Sequence, residues 1–191
     1  MTYLSHHLEK RDAFVPSSFG IVGGPMNLDR LDIQILNLLQ EDASQPLRVL
    51  ARKVNSSPAT CQRRIAILRA AGILLKQVAV VNRQRVGLAL TVFVSVELDK
   101  QNDALLRNFE AKMAAQDDVM ACYEVSGEFD FLLIINSASM ERYHAFTREV
   151  FSSNNNVRNF KSTFAMNCSK FETRVALDVP PEADKDDDEE D

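Results

Sequence analysis

The sequence predicts an α+β protein in two parts, a small helical domain followed by a sheet covered by helices on one side. Three observations carry this. Between residues 28 and 71 the apolar side chains return every three or four positions, the period of helices with one buried face. From residue 90 the pattern changes to short alternating runs separated by helical stretches, in the order strand, helix, strand, strand, helix, strand. The charge divides at the same place: residues 27–85 carry net +6, residues 86–177 net -3 and residues 178–191 net -8, within a total of -5.

Residues 1–26 read as a flexible extension, net neutral and without sustained periodicity, and Met26 behind it is a candidate translation start. His6 and His7 are adjacent on that segment and do not converge, so no metal site is expected. A first helix follows from Leu28 to Gln40. Leu28, Leu31, Ile35, Leu38 and Leu39 form its apolar stripe, and Asp29 and Asp32 sit in the first turn, where they suit the helix dipole.

Leu47, Leu50, Ala51 and Val54 mark a second, short helix that the polar Asn55-Ser56 ends. Ser57-Pro58 starts a third, a hydroxyl for the N-cap and a ring whose fixed φ suits the first helical position. Down this helix Cys61, Ile65 and Leu68 point inward, Thr60, Arg63, Arg64 and Ile67 lie on other faces, and Ala71-Gly72 supplies the stop. Two short helices joined by a few polar residues, the second opening with hydroxyls and carrying adjacent arginines, describe a helix-turn-helix able to enter a major groove. A guanidinium forks onto guanine O6 and N7 or onto a phosphate. The only net-basic block of the chain coincides with this helix pair, which favours double-stranded DNA as the partner over a merely solvated helix. Residues 73–87 are β-branched and basic at Lys76, Arg83 and Arg85, the composition of a wing or strand touching phosphates. Residues 27–82 are thus a winged helix-turn-helix domain and 83–89 a linker.

The second domain, residues 90–177, opens with Leu90 to Leu98 alternating as a strand. Asn102 or Asp103 then caps a helix with Leu105, Leu106, Phe109 and Met113 on its apolar side. Val119 to Val125 and Phe129 to Ile135 form a hairpin around a tight Ser126-Gly127-Glu128 turn. Ser139 caps a helix presenting Tyr143, Phe146 and Val150, Asn154-Asn155-Asn156 breaks it, and Val157 to Met166 is the last strand. This order is that of a ferredoxin-like βαββαβ sandwich, with one sheet face left open. Phe93, Cys122 and Phe160 or Phe164 are expected on the open face, a composition suited to pairing with a second subunit. Residues 178–191 are expected to be a disordered acidic tail, solvating rather than competing with DNA for the basic domain.

Composition excludes other classes. At 191 residues and 46% hydrophobic the chain can bury a core, yet no apolar run reaches the roughly 20 residues of a membrane span, and no signal peptide opens it. A cytoplasmic, nucleoid-associated protein is expected. Cys61, Cys122 and Cys168 form neither a disulfide framework nor a zinc motif. No nucleophile-base pair, glycine phosphate loop or metal-ligand spacing suggests an enzyme or a cofactor.

Several motifs in order resemble the Lrp/AsnC (leucine-responsive regulator/asparagine regulator) family of transcription factors. They are Leu28-Asp29-Arg30-Leu31-Asp32 with Ile35-Leu36, Leu50-Ala51-Arg52-Lys53-Val54, Ser57-Pro58-Ala59-Thr60-Cys61-Gln62-Arg63-Arg64, Ala71-Gly72-Ile73 and Ser126-Gly127-Glu128-Phe129-Asp130-Phe131. The resemblance runs from Leu28 to about Leu177. It implies an N-terminal DNA-binding domain, a ferredoxin-like effector and assembly domain, homodimers that associate into octamers, and an amino-acid effector bound between dimers. By the same resemblance Ser57, Ala59, Thr60, Arg63 and Arg64 face DNA, with Lys76 beside them. The effector pocket maps to Ser126, Gly127, Glu128 and Asp130 with Thr163, Phe164 and Ala165. Turn amides can hold a carboxylate and an acid an ammonium there. Before the last strand the family usually has a Leu-Pro-Gly-Val turn where this chain has Ser153-Asn154-Asn155-Asn156-Val157, and Asn adopts the left-handed conformation that glycine would supply. The expected function is a sequence-specific transcriptional regulator of amino-acid metabolism responding to a small-molecule effector. The alternative is an effector-independent architectural protein that wraps DNA.

Overall fold

A computed structural model describes residues 27–152 and 156–181; the expected extension at 1–26, and the acidic residues beyond Pro181, lie outside the described residues. The chain divides into two units, one built on the first three helices together with residues 170–181, the other on the sheet.

In the helical unit, α1 (Arg30–Glu41) begins two residues later than its apolar stripe. Asp29 caps it, and Asp32 reaches back to the cap amide, so the two acids close a reciprocal capping box. α2 (Leu47–Lys53) and α3 (Pro58–Ala70) are joined by a turn in which Asn55 takes the left-handed conformation at φ 51°, tolerable for Asn because its short polar side chain bonds locally. The Ser57 hydroxyl accepts from the Thr60 amide, as the sequence predicts. Ile35, Leu36, Leu39, Leu50, Ala51, Val54, Cys61 and Leu68 form the core. Along the outside of α1 runs the segment after the sheet. Gln40 exchanges two hydrogen bonds with the Val175 backbone, Asn37 donates to the Leu177 carbonyl and Arg30 to the Pro180 carbonyl, while Leu177 packs onto the core.

The expected wing is not a strand. Ile73 and Leu74 turn back onto the core, with both amides donating to the Leu68 carbonyl. Residues 75–82 then have no regular structure, and a single 3-10 turn follows at Gln84–Val86. A β-branched run needs a neighbouring strand to fill its ladder, and these residues pair with none among the described residues.

The second unit is the expected βαββαβ sandwich: β1 (Leu90–Leu98), α4 (Asp103–Ala114), β2 (Val119–Glu124), β3 (Phe131–Ser137), α5 (Met140–Val150) and β4 (Val157–Phe164). The antiparallel sheet has the order β2-β3-β1-β4. Val92, Val94, Val96 and Leu98 of β1 and Phe131, Leu133 and Ile135 of β3 meet Phe109, Met113, Tyr143 and Phe146 from the helices. Asn156, at φ 58°, makes the left-handed turn into β4, and its side chain exchanges hydrogen bonds with both backbone groups of Lys100.

Three details depart from expectation. The hairpin turn is wider than Ser126–Glu128, because the Val125 amide closes on the Asp130 carbonyl and β3 starts only at Phe131. The last strand ends at Phe164 rather than Met166. Cys122, Phe160 and Phe164 face the helices and not the open side, since they pair with Leu133, Val96 and Val92, all core residues. Phe93 alone of that set is on the open face, beside Ile134 and across from Thr163.

Candidate functional site

The first candidate surface is the outward face of α3. Cys61 and Leu68 are buried, so the opposite arc of the helix carries Ala59, Gln62, Arg63, Ala66 and Ile67, all exposed, with Ile67 at 40%. Two alanines there let a groove floor approach closely, and the long polar Gln62 and Arg63 can reach base edges between them. Ser57, exposed at the helix N-terminus, and the half-buried Thr60 hydrogen-bond to each other through their hydroxyls. Lys76 is exposed beyond the end of α3, on the segment that is not a wing.

Arg64 is placed differently from its neighbour. Its guanidinium lies 2.6 Å from Asp29 and 3.2 Å from Asp32, the two acids that cap α1. The Asp32 side chain is 4% exposed and that of Arg64 28%, so the pair is far less screened than a surface ion pair. Arg64 therefore does not project to solvent with Arg63 as expected. It ties α3 to the start of α1 and fixes the rotation of α3 about its axis, which keeps Arg63 outward. The signal was present in the sequence: Arg64 is three residues after Cys61 and four before Leu68, on the flank of the buried stripe. Gln62 and Ala66 are the outward residues that the sequence pattern left unplaced, while Ile67 is off the inward face as expected, and the arc opposite Cys61 and Leu68 would have found all three.

The second candidate site is on the sheet. Ser126, Gly127 and Glu128 are exposed in the hairpin loop, with Gly127 at φ 139°, a conformation strained for any side chain. Asp130 is committed to structure. Its carboxylate accepts from the Leu98 amide at 2.7 Å and from Gln101 Nε2 at 2.6 Å, binding the hairpin base to the end of β1. Glu128 and Phe129 line a cleft of about 230 Å³ with Ser95, Glu97, Asn159, Phe160 and Lys161, and of these only Glu128 was an expected effector residue. Glu97 is bridged by Arg158 at 2.8 Å, while Lys161 is exposed in the middle of β4.

Thr163, Phe164 and Ala165 are not at this cleft. Phe164 pairs with Val92 whereas the hairpin base is beside Val96, an offset of four residues or ~13 Å along the strands. Phe164 also faces inward against the Tyr143 ring. Within one chain the two sets of predicted effector residues lie at opposite ends of the sheet.

Two wholly or partly buried groups of the sheet domain have shifted ionisation. Burial pushes the Cys122 thiol up to about 12, with Glu110 adding to the effect, and burial raises the Tyr143 phenol against the opposing hydrogen bond from Ser162. Neither group borders the cleft. Among the described residues no cluster of His, Cys, Asp or Glu could hold a metal, and no helix is long and apolar enough to cross a membrane.

A helix-turn-helix with an outward basic reading helix, joined in one chain to an open-faced βαββαβ sandwich, defines a class: DNA-binding transcriptional regulators that carry a ligand-binding domain. Comparison with known proteins agrees. The AsnC-type helix-turn-helix domain matches residues 28–69 and the Lrp/AsnC ligand binding domain residues 91–175. An uncharacterized HTH-type transcriptional regulator of Haemophilus influenzae is 49% identical over 150 residues, 78% of this chain and 89% of that protein. The crystal structure of an AsnC family transcriptional regulator from Agrobacterium tumefaciens superposes with a TM-score of 0.74 at 32% identity, covering 78% of this chain and 97% of that one. A transcriptional regulator from Neisseria meningitidis in complex with L-Met gives 0.73 at 29% identity, with the same coverage. The chain belongs to the Lrp/AsnC family of transcriptional regulators, a family of regulators and not of enzymes.

Proposed function

We propose that the chain is a sequence-specific regulator of amino-acid metabolism, at least dimeric, whose DNA affinity or assembly state is biased by an amino acid. The observation that carries the DNA half of this reading is the opposite placement of Arg63 and Arg64. With Arg64 clamped to α1, the surface left for a major groove is Ala59, Gln62, Arg63, Ala66 and Ile67, with Ser57 and Lys76 at its ends. Arg63 and Gln62 read base edges and Lys76 contacts phosphate; Arg64 acts by positioning.

The effector reading rests on the cleft beside the hairpin. Glu128 and Lys161 place opposite charges on its rim, the complement of a zwitterionic amino acid, and the exposed loop amides around Gly127 can add to the carboxylate side. The relative solved with L-Met supports that ligand class. If Thr163, Phe164 and Ala165 also contribute, they come from another copy, because their own chain holds them at the far end of the sheet. Assembly is supported by the open sheet face, where Phe93 and Tyr123 are exposed beside Ile134.

A ligand regulates only if it binds one state better than another, so two measurements are needed together. Melting is followed against a panel of amino acids, and duplex binding with and without those that stabilise. A ligand at 100 times its dissociation constant adds about 2.7 kcal/mol to stability. DNA binding with no stabilisation by any amino acid would favour the architectural alternative; no duplex binding would sink both.

A further inference from the structure

The cleft beside the hairpin collects polar side chains that the fold leaves unused. β1 and β4 pair so that Ser95 is opposite Lys161 and Glu97 opposite Asn159, and all four line the cleft. Glu128 and Phe129 come to it from the hairpin. Ser95, Glu128, Asn159 and Lys161 make no side-chain hydrogen bond or ion pair with the described residues. Glu97 is half engaged: Arg158 reaches its Oε1 at 2.8 Å, and its Oε2 meets no donor among the described residues. Asp130 and Asp118 of the same domain are instead committed, the first to Leu98 and Gln101 and the second to Arg142.

Within the lining two carboxylates, Glu97 and Glu128, stand against one ammonium, Lys161. The α-groups of an amino acid match one of each and leave Glu97 over. Arg158 does not cancel that charge for a bound ligand. It is a surface partner with its side chain 65% exposed, it engages a single oxygen, and such pairs contribute little. An apolar side chain lying over Glu97 would strip water from the carboxylate and return no hydrogen bond, whereas a cationic one completes a third charge-assisted pair. Glu97 and Lys161 are diagonal neighbours on β1 and β4, ~7–8 Å apart. A side chain of a few methylenes bridges that gap.

We infer that the amino acid bound here is a basic one, with its α-carboxylate on Lys161, its α-ammonium on Glu128 and its side-chain cation on Glu97. Asn159, across from Glu97, offers a carbonyl to a further N–H of that cation, and Ser95, across from Lys161, offers a hydroxyl to the carboxylate. The inference rests on the cleft being the effector site, and it names the class of amino acid that the site takes.

The test titrates the full chain by calorimetry with L-lysine and with L-norleucine, which has the same carbon chain without the terminal ammonium. Lysine should bind at least about tenfold more tightly than norleucine, L-methionine or L-leucine, the loss of one charged pair. Glu97→Gln should bring lysine down to the level of norleucine and leave norleucine where it was, while Glu128→Gln should weaken both. Arg158→Met removes the competing cation and should tighten lysine alone, so it decides the matter even if Glu97→Gln fails to fold. Norleucine or methionine binding as tightly as lysine, and lost on Glu128→Gln, overturns the basic class while the cleft stands as the effector site. A lysine preference that survives Glu97→Gln, or lysine binding that Arg158→Met leaves unchanged or weakens, overturns it as well. Binding of no amino acid at all removes the effector site, and this inference with it.

Discussion

The helical domain and the sheet domain arrive at their candidate sites by opposite routes. In the helical domain one chain supplies a whole surface. A buried stripe sets the inward side of α3, an ion pair to the α1 cap locks its rotation, and what remains faces outward. In the sheet domain one chain supplies parts, with Glu128 at the hairpin end, Lys161 in the middle of β4 and Phe164 and Ala165 at the far end. A reading head in this fold is therefore a property of the single chain. A pocket using both sets of sheet residues is a property of the assembly.

The largest effect is expected where the helical surface is locked. Arg64→Met leaves the Asp32 carboxylate buried without its partner, and chemical denaturation should show about 3 kcal/mol lost from the helical domain. A loss near zero would mean the clamp does not set α3. Next comes Arg63→Ala, which should cost about 2 kcal/mol in duplex binding, roughly thirtyfold, with melting unchanged.

The sheet domain answers to a different perturbation. The Cys122 thiol is raised from 9.0 to about 12 in the folded chain, so below pH 9 both states hold the proton and stability is fully present. Between pH 9 and about 12 the unfolded chain releases it first, and this contribution falls by at most about 1.4 kcal/mol per pH unit. Cys122→Ala should flatten the alkaline limb of a stability-pH profile, and parallel limbs would contradict its placement against the core. Smallest is Ser57→Ala, which removes the α3 N-cap for about 1 kcal/mol.

Local signals were legible in the sequence. The Ser57 cap, the breaks around Asn55 and Gly72, the strand order and the left-handed turn that Asn156 makes in place of glycine all follow from a few neighbouring residues. What failed was set by distant partners. Arg64 looks exposed until Asp29 and Asp32, more than thirty positions earlier, are brought against it. Phe160 and Phe164 alternate correctly in β4, but only pairing with Val96 and Val92 says which side is the core. For Cys122 the β-bulge near Met120 shifts the parity of β2. The 73–87 run has strand composition but pairs with no strand among the described residues, so composition alone could not make it a wing.

The most direct test is the duplex affinity of the Arg63→Ala variant measured beside its thermal melt, at one low salt concentration. A drop of at least about tenfold with an unchanged melt is the predicted result. Binding within twofold of the unaltered chain, with the fold intact, would contradict the claim that α3 presents Arg63 as its reading residue while Arg64 is held inside.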